Sequence, residues 1–226
     1  MSTVLPPHWQ RARQPDQKAS RRDAILEAAA VRFDAAGYEG VVLNTLAADV
    51  GLAKSNLYRY FESKEAICLQ LLQDAHDVFL ADAVAALDAL PAPSTSEAVG
   101  RTLAACLAAH PRLCALASIV SSVLERNVEP ERIAQHKAWY LQGGVHLLGA
   151  LVRVLPTLDP RRGFEFLRLA YAVLTGLWPS AHPPAAVAQV MDTHPELALL
   201  RVDFAADLEV GLVALLRGLS SPDRSP

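Results

Sequence analysis

The sequence predicts an all-α protein, with a small N-terminal three-helix unit followed by a larger helical domain. Three observations carry the fold class. Apolar residues recur at intervals of three and four, proline stands in the first turn of nearly every expected helix, and no stretch alternates convincingly at period two. A chain of 226 residues, 52% of them hydrophobic, can bury a real core without staples.

Residues 1–19 are rich in Pro, Gln and basic side chains and lack an apolar period, so a mobile arm is expected there. Helical signals begin at Ser20. Ile25, Ala29 and Phe33, flanked by Leu26 and Ala30, form one stripe that Gly37 closes as a C-cap. A second helix is expected over residues 44–50 and a third over residues 54–60. Ser63 then caps a long helix from Lys64 to about Leu90, ended by Pro91 and Pro93. Ser94 to Glu97 reads as a capping box for a helix that stops near His110. Further helices are expected over residues 111–126, 130–155, 160–178, 184–191 and 202–219.

Residues 43–62, LNTLAADVGLAKSNLYRYFE, have the spacing of two helices meeting at a sharp turn. Ala47 is small where the axes would cross, and Gly51 stands where the turn needs a positive φ. Leu46, Val50 and Leu57 are spaced to fill the space between the helices. The outward side chains decide what such a corner can do. Lys54, Ser55, Asn56, Tyr58, Arg59 and Tyr60 offer donors for base edges and hydroxyls for phosphates, with Asn44 and Thr45 at the preceding helix start. Arg21, Arg22 and Lys64 are candidates for backbone phosphate. Residues 1–64 carry nine Lys/Arg against seven Asp/Glu, a small basic head within a chain of net charge −3.

RRDAILEAAAVRFDAAGY and GLAKSNLYRYFESKEAI, spanning about residues 20–67, resemble the DNA-binding region of the tetracycline-repressor (TetR) family. The resemblance implies a ligand-responsive homodimer on a palindromic operator, usually a repressor, with residues 65–226 forming the ligand domain. The family usually has Thr at the positions of Val41 and Val42 and Ser at that of Ala53. The start of the second helix would then be capped by Asn44 or Thr45.

In the body, Phe79, Leu116, Ile119, Val120, Val123, Trp139, Tyr140, Leu147 and Leu151 are candidate walls of a cavity for an apolar effector, and His146 is a candidate polar member. Taken singly, each reads more readily as plain core. Phe164, Leu167, Tyr171, Leu174 and Trp178 form one late stripe, and Leu208, Leu212, Leu215 and Leu219 another. They read either as a homodimer surface made of the C-terminal helices or as intrachain packing.

Cys106, His110 and Cys114 are spaced four apart, but Pro111 breaks the helix, so structural thiols are expected and no metal or cofactor. The three cysteines include no CxxC pair, which suits a reducing cytoplasm. Pro6, Pro7, His8 and Arg11 interrupt any leader-like apolar run. Residues 169–191 carry no charge but are spoiled as a membrane span by Pro179, His182, Pro183 and Pro184. No catalytic constellation stands out. The alternative to an operator-binding regulator is an effector-less helical protein-interaction module.

Overall fold

The computed structural model describes residues 7–126 and 128–220, those before residue 17 through their backbone alone. Among these the protein is all α. The helices are α1 (Pro7–Gly40), α2 (Leu43–Asp49), α3 (Lys54–Leu57), α4 (Lys64–Asp88), α5 (Ser96–Ala108), α6 (Pro111–Ser118), α7 (Pro130–Val154), α8 (Pro160–Ala181), α9 (Ala185–Thr193) and α10 (Phe204–Ser220). The chain divides into two compact units, residues 1–71 and 72–226, and the division falls within α4.

In the first unit, Ile25 and Ala29 of α1 are fully buried, with Leu26 and Phe33 nearly so, in a core completed by Leu46, Ala47, Leu57 and Phe61. Burying each of the larger side chains contributes about 1.5–3 kcal/mol. Gly37, at a kink in α1 where Ala36 is also non-helical, has φ 61°, and Gly51, between α2 and α3, has φ 65°; both lie in the region that only glycine adopts without a Cβ penalty, so the kink and the turn depend on these residues. The expected helix start at Ser20 moves back to Pro7, and residues 1–6 of the expected arm lie outside the described residues. Gln, Arg, Lys and Ala between Pro7 and Ser20 cost little in a helix, and Pro7 occupies the first turn.

The second unit is a helical body. α10 packs against α5 and α8, and α8 also packs against α6 and α7. α5 and α10 come closest at Gly100, where a Cβ would lie 2.6 Å from Cγ2 and 3.1 Å from the backbone nitrogen of Val213. Leu208, Leu212 and Leu216 of α10 are fully buried in this body. The late stripe expected at a homodimer surface is therefore corrected: Leu208 and Leu212 serve the protein's own core. The α8 stripe divides: Leu174 is buried and the Tyr171 hydroxyl donates to Ala117 O at 3.1 Å, while Phe164 stays exposed. Trp178 stacks on His182 at 3.8 Å and meets Phe204 edge-on at 4.9 Å.

Other local expectations shift for identifiable reasons. The cap of α5 is Thr95 rather than Ser94, its hydroxyl accepting from Ala98 N at 3.1 Å, while the Ser94 N–H bonds to Val154 O at 2.7 Å. The helix expected over residues 111–126 stops at Ser118 and continues as a π turn, Val120–Leu124, where Leu124 N donates to Ile119 O and Glu125 N to Val120 O. α8 runs through Pro179 to Ala181, since a proline in the last turn removes only one N–H. A 3-10 segment, Pro195–Leu200, lies in the connection to α10 and has no buried residue.

Candidate nucleic-acid interface and body cavity

The geometry of the first unit begins at Gly51. Its positive φ turns the chain from α2 into α3, while the Leu52 N–H bonds back to Ala47 O at 2.8 Å. α3 is shorter than the seven residues expected. It is a single turn, and residues 58–60 continue in a tighter form, with Arg59 N donating to Asn56 O and Tyr60 N to Leu57 O. Leu57 faces the core and is fully buried, so Lys54, Ser55, Asn56, Tyr58 and Arg59 are left exposed around it, with Tyr60 half-buried. Asn44 and Thr45 are exposed at the start of α2.

The capping expectation is corrected. Val42 occupies the N-cap of α2 without any side-chain bond, and the Thr45 hydroxyl donates to Val42 O at 2.9 Å instead of accepting an N–H. Val41 is fully buried, which accounts for an apolar residue there. Ala53 likewise caps α3 with no side chain to offer. Ser63 behaves as expected at α4, accepting from Ala66 N at 3.1 Å.

The three flanking cations differ in availability. Arg21 is exposed and donates to Val50 O at 3.3 Å. Arg22 is turned inward, 2.6 Å from Gln70 Oε1 and over the Phe61 ring at 4.9 Å. Lys64 lies over the Tyr38 ring at 3.6 Å, with Glu39 Oε2 at 3.8 Å. Arg22 and Lys64, both expected at phosphates, thus each lie over an aromatic ring of the head. Two braces went unnoticed in the sequence. Arg32 grips Asp49 through two hydrogen bonds at 2.5 and 2.9 Å, tying α1 to α2, and Tyr38 donates to Glu65 Oε1 at 2.8 Å. The Arg32 hydrogen bond holds the Asp49 carboxyl below its ordinary pKa. Their partners stand 17 and 27 residues apart in the chain, which no local pattern marks.

The second unit contains a cavity of about 180 Å³. Phe79, Val120, Trp139, Tyr140 and Leu147 line it, as expected. Leu116 and Leu151 are core residues away from it, Ile119 and Val123 do not reach it, and His146 is exposed. The polar members missed by the sequence are His76, Ser121, His136, Lys137 and Tyr171. His76 is buried, and its ring meets Trp139 edge-on at 4.7 Å. Burial lowers the pKa of both His76 and His136, so both imidazoles are neutral near pH 7.

Cys106, His110 and Cys114 are engaged elsewhere. His110 Nδ1 is 2.7 Å from Cys106 O and its Nε2 is 3.1 Å from Asp82 Oδ2, while Cys114 Sγ donates to Leu107 O. Burial raises the Cys114 thiol to about 12, leaving it an unreactive core thiol. Among the described residues no helix is long and apolar enough to cross a membrane.

A glycine-turned helical head with a donor-bearing short helix, together with a helical body around an aromatic cavity, defines a helix-turn-helix protein with a second, cavity-bearing unit. Residues 25–71 match the family model for bacterial regulatory proteins of the tetR family, and residues 73–223 match the tetracyclin repressor-like C-terminal domain. The chain belongs to the TetR family. It is similar to the HTH-type transcriptional repressor KstR2 of Mycolicibacterium smegmatis, 36% identical over 63 residues, 28% of this chain and 31% of that protein. It is also similar to the HTH-type transcriptional regulator RutR of Escherichia coli K12, 38% identical over 63 residues, 28% of this chain and 30% of the relative. The chain thus spans about a third of these curated relatives.

Solved structures extend the likeness of fold. The fatty acid degradation regulator FadR from Bacillus halodurans has a TM-score of 0.54 at 21% identity, over 87% of this chain and 98% of that one. A TetR-family transcriptional regulator from Streptomyces coelicolor has a TM-score of 0.53 at 21% identity, over 90% and 97%.

Proposed function

We propose that this protein is a DNA-binding transcriptional regulator, a cytoplasmic repressor released from a palindromic operator when a small apolar effector enters its body. The observation that carries the reading is the ring of exposed donors, Lys54, Ser55, Asn56, Tyr58 and Arg59, around the buried Leu57. Base edges in a major groove are read by such donors, and phosphates are met by the same cations and hydroxyls. The repressor name of the Mycolicibacterium relative supports repression over activation.

A homodimer through the C-terminal helices presents two heads to half-sites about 34 Å apart or a multiple of that. Its surface is the outward face of α8 and α10, where Phe164 is 41% and Val210 68% exposed. Effector binding favours one of two pre-existing states, and the state it favours fits the operator less well. No enzymatic step is proposed.

The test is a gel shift of the full-length protein on the DNA upstream of its own gene. The wild type retards one fragment specifically, and Tyr58→Ala or Arg59→Ala weakens retardation at least about tenfold while circular dichroism stays unchanged. Absence of specific retardation sinks the reading and leaves the effector-less protein-interaction module in its place.

A further inference from the structure

The body cavity narrows the chemistry of what it can hold. Its 180 Å³ exceeds by a little the roughly 150 Å³ in which an engineered apolar cavity accepts benzene, so it suits one or two fused rings. Seven of its lining residues carry rings, beside eight leucines. Trp139 lies 4.7 Å from His76 and 5.5 Å from His136, His76 lies 5.6 Å from Tyr140, and Tyr140 meets Tyr171 edge-on at 5.8 Å. Tilted and edge-on faces of this kind favour a further aromatic ring over an alkyl chain.

The polar groups set the charge. Nδ1 of His76 is buried without a hydrogen-bond partner, the Asp77 carboxylate being 4.0 Å away. Nδ1 of His136 has only Gln73 Nε2, at the 3.5 Å limit. A neutral imidazole has one donor and one acceptor nitrogen, and a hydroxyl can serve either, so it pairs with whichever tautomer is present. Lys137 is the one Lys or Arg among the lining residues. Its side chain is more than half exposed and its ammonium is 2.5 Å from Glu125 Oε1, which leaves no buried cation for an entering anion. An ionised carboxylate stripped of water there would go unpaired.

We infer that the cavity takes an uncharged, hydroxyl-bearing aromatic compound of one or two fused rings, anchored by His76 and His136, and that it rejects the carboxylate of the same shape. This rests on the reading of residues 72–226 as a ligand-sensing body.

Isothermal titration of the full-length protein at pH 7.5, without DNA, tests it with 2-naphthol, 2-naphthoate and naphthalene. The naphthol is expected to bind at least about tenfold tighter than the naphthoate. His76→Phe keeps a ring in place and should weaken naphthol about tenfold while leaving naphthalene unchanged. His136→Phe provides the same contrast should the first variant misfold. Naphthoate binding as well as naphthol, no binding of either at millimolar concentration, or equal losses of naphthol and naphthalene in the variants would each overturn the inference. Failure here with the gel shift intact removes the ligand class alone. Naphthol binding by a protein that retards no DNA keeps the ligand class and removes the regulator reading.

Discussion

Gly143 on α7 and His76 on α4 are packed so closely that a Cβ at position 143 would lie 2.7 Å from Cε1 of the imidazole. The glycine is therefore the space in which that ring sits. Gly143→Ala forces the ring aside: overpacking costs about 1–3 kcal/mol, and the better helix propensity of alanine returns about 1 kcal/mol. The expected result is a net loss of about 1 kcal/mol in urea unfolding, with weaker naphthol binding. Gly149, also on α7, has nothing within 4 Å of a Cβ, so Gly149→Ala is expected to stabilise by about 0.5–1 kcal/mol.

Stability should fall on mild acidification. Desolvation lowers the folded-state pKa of His76 and of His136 from the ordinary 6.5, although Asp77 and Glu125 pull the other way. Above 6.5 both states are neutral and nothing changes. Below it the unfolded chain takes up protons that the folded chain does not, so stability declines as pH drops through 6.5 and stops declining only below the folded-state values. The slope reaches at most about 1.4 kcal/mol per pH unit for each histidine. Urea midpoints between pH 7.5 and 5.5 measure it, and a variant with both histidines changed to Phe should show a flatter profile.

Salt dependence separates the reading cations from the bracing ones. Arg59 is exposed, whereas Arg22 is held by Gln70 and Phe61. Arg59→Ala should weaken operator binding and reduce the slope of log affinity against log salt by about one. Arg22→Ala should lower the melting temperature of the head and leave that slope unchanged. Equal slopes in both variants would contradict the assignment.

The outward face of α10 supplies a test of assembly. Val210→Asp puts a charge on a residue that is 68% exposed, so the fold should persist while light scattering reports monomer. Leu212→Ala, on the buried face, should instead cost about 2–5 kcal/mol of stability. A Val210→Asp protein that stays dimeric would move the interface elsewhere.

The helices themselves were legible because prolines at positions 111, 130 and 160 stand in the first turns of α6, α7 and α8, and because Gly37 and Gly51 mark a kink and a turn that other residues resist. Which way an apolar stripe faces was not legible. Periodicity shows that Leu208 and Leu212 share a face, but the covering surface comes from α5 and α8, far away in the chain. The same holds for the histidines. His146 and His136 both lie on α7, and only tertiary packing makes one exposed and the other buried. Charge alone likewise did not reveal that Arg22 and Lys64 lie across aromatic rings.

Val120 and Ser121, both in the π turn, border the cavity. Such a turn is a helix holding one residue more than its pitch accommodates. Deleting a single residue between Ile119 and Leu124 would return the segment to ordinary pitch and remove the extra residue while its neighbours on either side keep their phase. At this wall the chain carries a residue that the helix itself does not need, so the border of the cavity can be reshaped by a one-residue deletion without displacing the helix before it.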